Sequence, residues 1–258
     1  PTPGGGTVYF EPTGSGEWEP FMEVAPEDAF NTRMIGFTRD GASLLMLSNR
    51  ERDTSALIRV TLETRSVQEI GGDARADVDK VLTDPVSGRP LAYGVNYKTR
   101  EWSAVDPLVA DDLARLESLP GEVDILSQTR DNRTWVVYNN RTDRSGTYFL
   151  YDRESGALDE LFSIRPELAD HALRPMHPVE IEARDGLTLV SYYTLPEAAD
   201  PDDDGDPEAA SPMVLYVHGG PWARDSYGYD TVHQWLANRG YAVLSVNYRG
   251  STGFGKEF

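Results

Sequence analysis

The run Val214-Leu215-Tyr216-Val217-His218-Gly219-Gly220-Pro221-Trp222 constrains the fold more than any other stretch of the chain. An apolar segment rich in β-branched and aromatic residues that ends abruptly in His-Gly-Gly-Pro reads as a buried strand whose C-terminal end opens into a tight loop. Adjacent glycines let backbone N–H groups turn outward there. Thr231-Val232-His233-Gln234 fits a capping box, which predicts a helix starting at Thr231. Its apolar face would carry Val232, Trp235, Leu236 and the stem of Arg239, and Gly240 would close it. Tyr241 to Val246 follows as a second buried strand. Two apolar strands joined by a helical crossover form a parallel βαβ unit, the core of a doubly wound sheet.

The preceding sequence has a different texture. From Thr7 to about Arg165, short apolar runs alternate with charged turns, and only Pro107 to Leu119 suggests an amphipathic helix. Thr38-Arg39-Asp40-Gly41, Thr83-Asp84-Pro85 and Thr129-Arg130-Asp131-Asn132 recur at spacings of 45 and 46 residues, each ahead of an apolar run. Such a period, with four short strands per unit, is the signature of propeller blades; a separate β-sandwich is the alternative. The first unit places strands near Met34–Phe37, Leu44–Ser48, Ala56–Leu62 and Val67–Ile70. The third places them near Ile125–Ser127, Trp135–Asn139, Gly146–Tyr151 and Leu158–Phe162. The middle unit is the least regular, and Thr7–Phe10 belongs to a preceding blade. After Arg165, Pro166, Pro175 and Pro178 punctuate a linker, and Gly186 divides a hairpin formed by Val179–Ile181 and Leu187–Leu195.

His218-Gly219-Gly220-Pro221-Trp222-Ala223-Arg224-Asp225, with Leu236 to Leu244 and Asn247-Tyr248-Arg249-Gly250-Ser251-Thr252-Gly253-Phe254-Gly255, resembles the prolyl oligopeptidase family, in its acylaminoacyl-peptidase and dipeptidyl-aminopeptidase-like branch. The hairpin through Arg184-Asp185-Gly186-Leu187 resembles the one that opens the hydrolase domain of that family. The resemblance implies the C-terminal blades of a β-propeller over residues 1–172, then the N-terminal part of an α/β-hydrolase domain over residues 173–258. It implies a serine peptidase acting on short peptides through an acyl-enzyme. A backbone N–H of the two-glycine motif, Gly220 with Gly219 shaping the turn, would help hold the oxyanion of the tetrahedral intermediate. Other branches place a Tyr hydroxyl at the position of His218, so His218 is open to a direct role or to packing the loop. Arg249, at the C-terminal rim of the second strand, is open to binding a substrate carboxylate or to locking loops together.

No G-x-S-x-G occurs: Ser251 lies in Gly250-Ser251-Thr252-Gly253, one residue short, and Ser226 lacks both glycines. The hydrolase order of Ser, Asp and His would fall after this segment, so the chain is expected to end before its triad and to be inactive alone. His171, His177 and His233 are poor substitutes for the base, the first two being in the linker and the third on the predicted helix surface. Asp200-Pro201-Asp202-Asp203-Asp204-Gly205 matches the first half of a calcium loop, but position 12 is Ser211, not Glu, so the segment reads as a solvated acidic insertion rather than a metal site. Two other readings stay open: an esterase of the α/β-hydrolase fold, and a non-catalytic propeller that binds peptides.

Composition narrows the partners. The 258 residues carry 43 Asp and Glu against 24 Lys and Arg, a net charge of -19, which argues against nucleic acid or an anionic membrane as a partner. Without cysteine there is no disulfide, thiolate nucleophile or Cys-based metal site. No apolar run reaches the length of a membrane span. No cofactor is expected. The compartment, cytoplasmic or periplasmic, and the oligomeric state are left open.

Overall fold

The computed structural model describes residues 1–220 and 222–258. It begins with a hairpin of β1 (Thr7–Pro12) and β2 (Trp18–Val24), followed by an antiparallel meander of β3 (Arg33–Phe37), β4 (Ser43–Ser48), β5 (Ala56–Thr61) and β6 (Val67–Gly71). A three-stranded sheet of β7 (Val78–Thr83), β8 (Pro90–Asn96) and β9 (Arg100–Ala104) comes next, with helix α1 (Ala110–Glu117) after it. A second four-stranded meander comprises β10 (Glu122–Gln128), β11 (Thr134–Asn140), β12 (Thr147–Asp152) and β13 (Leu158–Ser163). The last sheet takes β14 (Met176–Glu182), β15 (Thr188–Thr194), β16 (Met213–Leu215), helix α2 (Thr231–Ala237) and β17 (Ala242–Val246).

Strand alternation explains why the first sheets stack. In β4, Leu44 and Met46 point into a core shared with Tyr9, Phe21 and Met22 of the first hairpin, whereas Leu47 points into a second core with Val78 and Val95 of the following sheet. A sheet clad on both faces needs apolar residues at nearly every position of its central strands, and β4 supplies them. The strands of both four-stranded units fall where the sequence repeat puts them. The middle unit departs for a visible reason: in place of a fourth strand, α1 and the 3-10 turn before it pack Val109, Leu113 and Leu116 onto Leu91, Val123 and Trp135. Asp112 anchors this helix across the seam, its carboxylate accepting from Tyr151 Oη at 2.8 Å and Arg153 Nε at 2.9 Å. Burial beside that carboxylate pushes the Tyr151 hydroxyl up to about 12.

In the last sheet the order is β14-β15-β17-β16, with β14–β15 and β15–β17 antiparallel and β16–β17 parallel. The expected hairpin and the parallel β16–α2–β17 unit are both present, and three expectations need correction. First, β16 is not buried: Met213 and Leu215 are 58% and 59% exposed, because only β17 flanks it among the described residues. Second, the cap of α2 is Asp230, one residue earlier than expected, whose carboxylate accepts from Val232 N and His233 N, both at 2.8 Å. The Asp230 carboxylate takes the first two free N–H groups, and Gln234 N, the donor expected for the Thr231 hydroxyl, donates instead to Asp230 O at 3.0 Å. Third, the buried face of α2 is His233, Gln234 and Ala237, while Trp235 is exposed. His233 bridges Thr194 Oγ1 at 3.0 Å and Ser245 Oγ at 2.8 Å, and Gln234 Nε2 donates to the carbonyls of Thr142 and Arg174. Polar side chains turn inward because hydroxyls and carbonyls await them there. No helix of the described residues is long and apolar enough to cross a membrane.

Candidate active site

The two-glycine turn follows directly from β16. Tyr216 N still donates to Leu244 O at 2.8 Å, and past that point the chain leaves the sheet. Gly220 has φ +140°, and a Cβ there would lie 2.7 Å from Trp222 N, so glycine is obligatory. A Cβ at Gly219 would meet nothing within 4 Å. The two glycines are therefore not equivalent: one is required by the turn, the other leaves open space. Pro221 lies outside the described residues.

The loop Asn247–Thr252, at the end of β17, grips this turn from the side. Asn247 is fully buried; its Oδ1 accepts from Asp225 N at 2.8 Å and its Nδ2 donates to Asp225 O at 3.2 Å. Thr252 N donates to Ala223 O at 2.9 Å. The Tyr248 ring stacks on the His218 imidazole with centroids 4.6 Å apart, and its hydroxyl donates to His218 O at 3.1 Å. The ring nitrogens of the imidazole are fixed by Ser251 Oγ, 2.9 Å from Nε2, and by Gly219 O, 3.0 Å from Nδ1.

A second set of contacts ties the turn to the first sheets. Arg224 donates from Nη1 to Asn96 O at 2.6 Å and from Nη2 to Tyr97 O at 2.9 Å, with its guanidinium 4.3 Å from the Phe254 ring centroid. Asn140, at the end of β11, donates to Tyr227 O at 3.1 Å and accepts from Tyr229 N at 3.3 Å. Lys256 Nζ reaches Asp28 at 2.8 Å. The turn is thus suspended between β17 and the preceding sheets, largely by side chains aimed at backbone groups, which fix position regardless of neighbouring side-chain identity. With the guanidinium of Arg224 so engaged, Asp225 Oδ2 is buried without a partner, and burial raises its carboxyl above the ordinary range.

Beside these contacts, a cavity of about 400 Å³ separates β9, β10 and α1 from Pro178 and Tyr227. Glu122 lies in its wall and accepts from Arg100 N at 2.9 Å; burial pushes its carboxyl up to about 7, against the opposing pull of Arg100.

Of the residues singled out from sequence, Gly219, Gly220 and His218 lie together on the turn. Arg249 does not join them: it pairs with Asp185 in the β14–β15 turn, with both side chains exposed. His177 belongs to β14 rather than to a linker, and His233 is 1% exposed rather than on the helix surface; burial lowers the imidazole below its ordinary range. The carboxylates of Asp200, Asp202 and Asp204 do converge. Asp200, however, is buried and accepts from Asp204 N and Gly205 N, and Asp203 pairs with Arg174 at 2.6 Å, so the loop closes on its own residues. Sequence reasoning passed over Tyr248, Ser251, Asn247 and Arg224 as individual residues. Their only signal was membership of the same motif run, with Ser251 weighed solely as a nucleophile.

No family model matches the chain. It is 48% identical over 257 residues to dipeptidyl aminopeptidase BIII of Pseudoxanthomonas mexicana, a match covering 99% of this chain and 37% of that protein. It is 31% identical over 279 residues to dipeptidyl peptidase family member 6 of Caenorhabditis elegans, covering 98% and 38%. Among solved structures, dipeptidyl peptidase 4 of Porphyromonas gingivalis superposes with a TM-score of 0.70 at 16% identity, over 98% of this chain and 36% of that one. The chain spans a little over a third of the length of these relatives. Along nearly its whole length the chain is similar in sequence to these dipeptidyl-aminopeptidase relatives, and in fold to solved peptidases that include a prolyl endopeptidase, which bears out its resemblance to the prolyl oligopeptidase family.

Proposed function

We propose that the protein carrying this chain is a serine-type peptidase that cleaves short peptides through an acyl-enzyme, with residues 1–172 forming part of a β-propeller and residues 173–258 opening an α/β-hydrolase domain. The observation that carries this reading is the Gly219–Gly220 turn at the C-terminal end of β16, where a hydrolase needs backbone donors. In this account the scissile carbonyl oxygen rests against the Gly220 N–H, and negative charge develops there as a serine attacks. The donor strengthens as that charge grows, and a fixed backbone N–H needs no reorganisation at that moment. Nucleophile, acid and base are supplied by sequence following Phe258. Release of N-terminal dipeptides is the favoured specificity, because the 48% identical relative is a dipeptidyl aminopeptidase.

The test is treatment of the full-length protein with a fluorophosphonate probe, alongside hydrolysis of dipeptide anilides with free and acetylated N-termini. The reading expects one labelled serine outside this chain and turnover of the free dipeptide. No labelling and no turnover would leave a peptide-binding protein instead. Within the chain, Gly220→Ala keeps the N–H but adds a Cβ that would lie 2.7 Å from Trp222 N, so the turn must shift and carry the donor out of place; kcat is expected to fall by about 100-fold to 1000-fold, as when such a donor is removed. Gly219→Ala, with open space around it, should retain most activity. Equal losses in the two variants would contradict the assignment of the donor to Gly220.

A further inference from the structure

Ser251 and Tyr248 have no place in the chemistry described so far, yet both converge on one imidazole. Ser251 is 3% exposed. Its hydroxyl lies 2.6 Å from Tyr248 O and 2.9 Å from His218 Nε2, so it joins the β17 loop to the histidine ring. Tyr248 covers the ring face at an interplanar angle of 19° and also holds the main chain of the same residue through its hydroxyl. Gly219 O, from within the turn, takes the remaining ring nitrogen. His218 is therefore fixed at both nitrogens, at one ring face and at its carbonyl, and every partner except Gly219 comes from the β17 loop.

This is more restraint than a packed histidine needs. A packed histidine needs partners only for its ring nitrogens; here one ring face and the carbonyl of the same residue are held as well, and four such contacts to the residue immediately before two glycines restrict how the turn rotates. Gly219 has no Cβ contact to limit it, and Gly220 occupies a conformation that only glycine adopts readily. The two glycines thus supply little stiffness of their own, and the restraint on them comes from contacts with other residues.

We propose that Ser251 and Tyr248 are positioning residues for the Gly219–Gly220 turn: by clamping His218 they hold the Gly220 N–H at the place where the oxyanion forms. This rests on the peptidase reading above. Neither residue touches substrate in this account; each acts through His218. Removing the clamp lets the donor drift, and misplacement of a donor on the order of 1 Å costs up to about 100-fold in rate.

The experiment uses the full-length protein, with Ser251→Ala and Tyr248→Phe made separately and a dipeptide anilide as substrate. Each variant should lower kcat by about 10-fold or more with KM nearly unchanged, since ground-state binding does not depend on a donor that acts in the transition state. Affinity for a dipeptide boronic acid, whose tetrahedral adduct places an oxygen at the same donor, should fall by the same factor. Affinity for the product dipeptide should not change. A residue that merely supports the fold would lower melting temperature without this parallel loss. If Ser251→Ala does not fold, Tyr248→Phe decides, because it removes one hydroxyl and keeps the stacked ring. Wild-type kcat and boronate affinity in a folded variant, with the parent enzyme labelled by fluorophosphonate, would overturn the positioning role and leave the peptidase reading intact. Absence of labelling in the parent protein would overturn that reading, and the positioning role with it.

Discussion

Strands β4 and β16 are written in nearly the same alphabet and have opposite fates. Leu44-Leu45-Met46-Leu47 is at most 2% exposed, while Met213, Leu215 and Val217, in a comparably continuous apolar run, are 52–59% exposed. The difference is in what flanks them. Two strands hydrogen-bond to β4 and separate cores cover its two faces. Among the described residues only β17 flanks β16, and the neighbouring α2 leaves Trp235 in solvent. An apolar strand states a demand for cover, and where the cover comes from is a matter of topology. In the stacked sheets each unit covers the next; in the last sheet the demand is unmet within this chain. These relatives are nearly three times as long, and in the function proposed above the open edge of β16 is the seat of further strands of a hydrolase sheet.

The largest expected effect lies in the closed region. Trp135 is fully buried between α1 and the β10–β13 sheet, so Trp135→Ala should destabilise this chain by about 3–5 kcal/mol, measured by urea denaturation. A loss under about 1 kcal/mol would mean that the stacked sheets are not the self-sufficient half of the comparison.

At the seam between the halves, Glu122 gives a pH effect of intermediate size. Its carboxyl is raised to about 7 in the fold, so the folded state binds this proton more tightly than the unfolded chain does. The stability tied to that proton is present in full below the ordinary glutamate range and is lost as pH rises through about 7. Between roughly pH 4.5 and 7.5, Glu122→Gln should flatten the fall by up to about 3 kcal/mol. An unchanged pH profile would show that the seam is wetter than its packing implies.

The smallest effect belongs to the open edge. In this chain Leu215→Lys should shift stability by no more than about 0.5 kcal/mol, since the leucine is already mostly in solvent. It should also reduce self-association through the edge, because a charge there opposes strand pairing. A cost of several kcal/mol would mean that the edge is covered in solution, by a second copy of the chain.

How much of this was legible beforehand follows the same division. The strands of the first and third units could be placed because their cores are local: alternation in β4 and β11 is answered by the next strand or the next sheet. The irregular middle unit could be flagged but not explained, since the substitution of α1 for a fourth strand depends on Asp112 finding Tyr151 and Arg153 about 40 residues away. On α2, periodicity favoured Trp235 as an inward residue, yet His233 and Gln234 face inward to meet Thr194, Ser245, Thr142 and Arg174. Apolar spacing carries no information about hydroxyls and carbonyls waiting on other elements. At the site, Gly219, Gly220 and His218 were legible as a motif. The unequal tolerance of the two glycines and the Tyr248–Ser251 clamp were not, because both depend on distances between segments.

The most direct test of the central claim is amide hydrogen exchange across β16 and β17 in the full-length protein. If β16 is an interior strand of a larger sheet, the amides of Val214 to Val217 should be protected about as strongly as those of Val243 to Val246. Exchange of Val214 to Val217 near the rate of an unstructured peptide would show that the edge stays open in the whole protein, and would contradict the reading of this chain as the opening part of a hydrolase sheet.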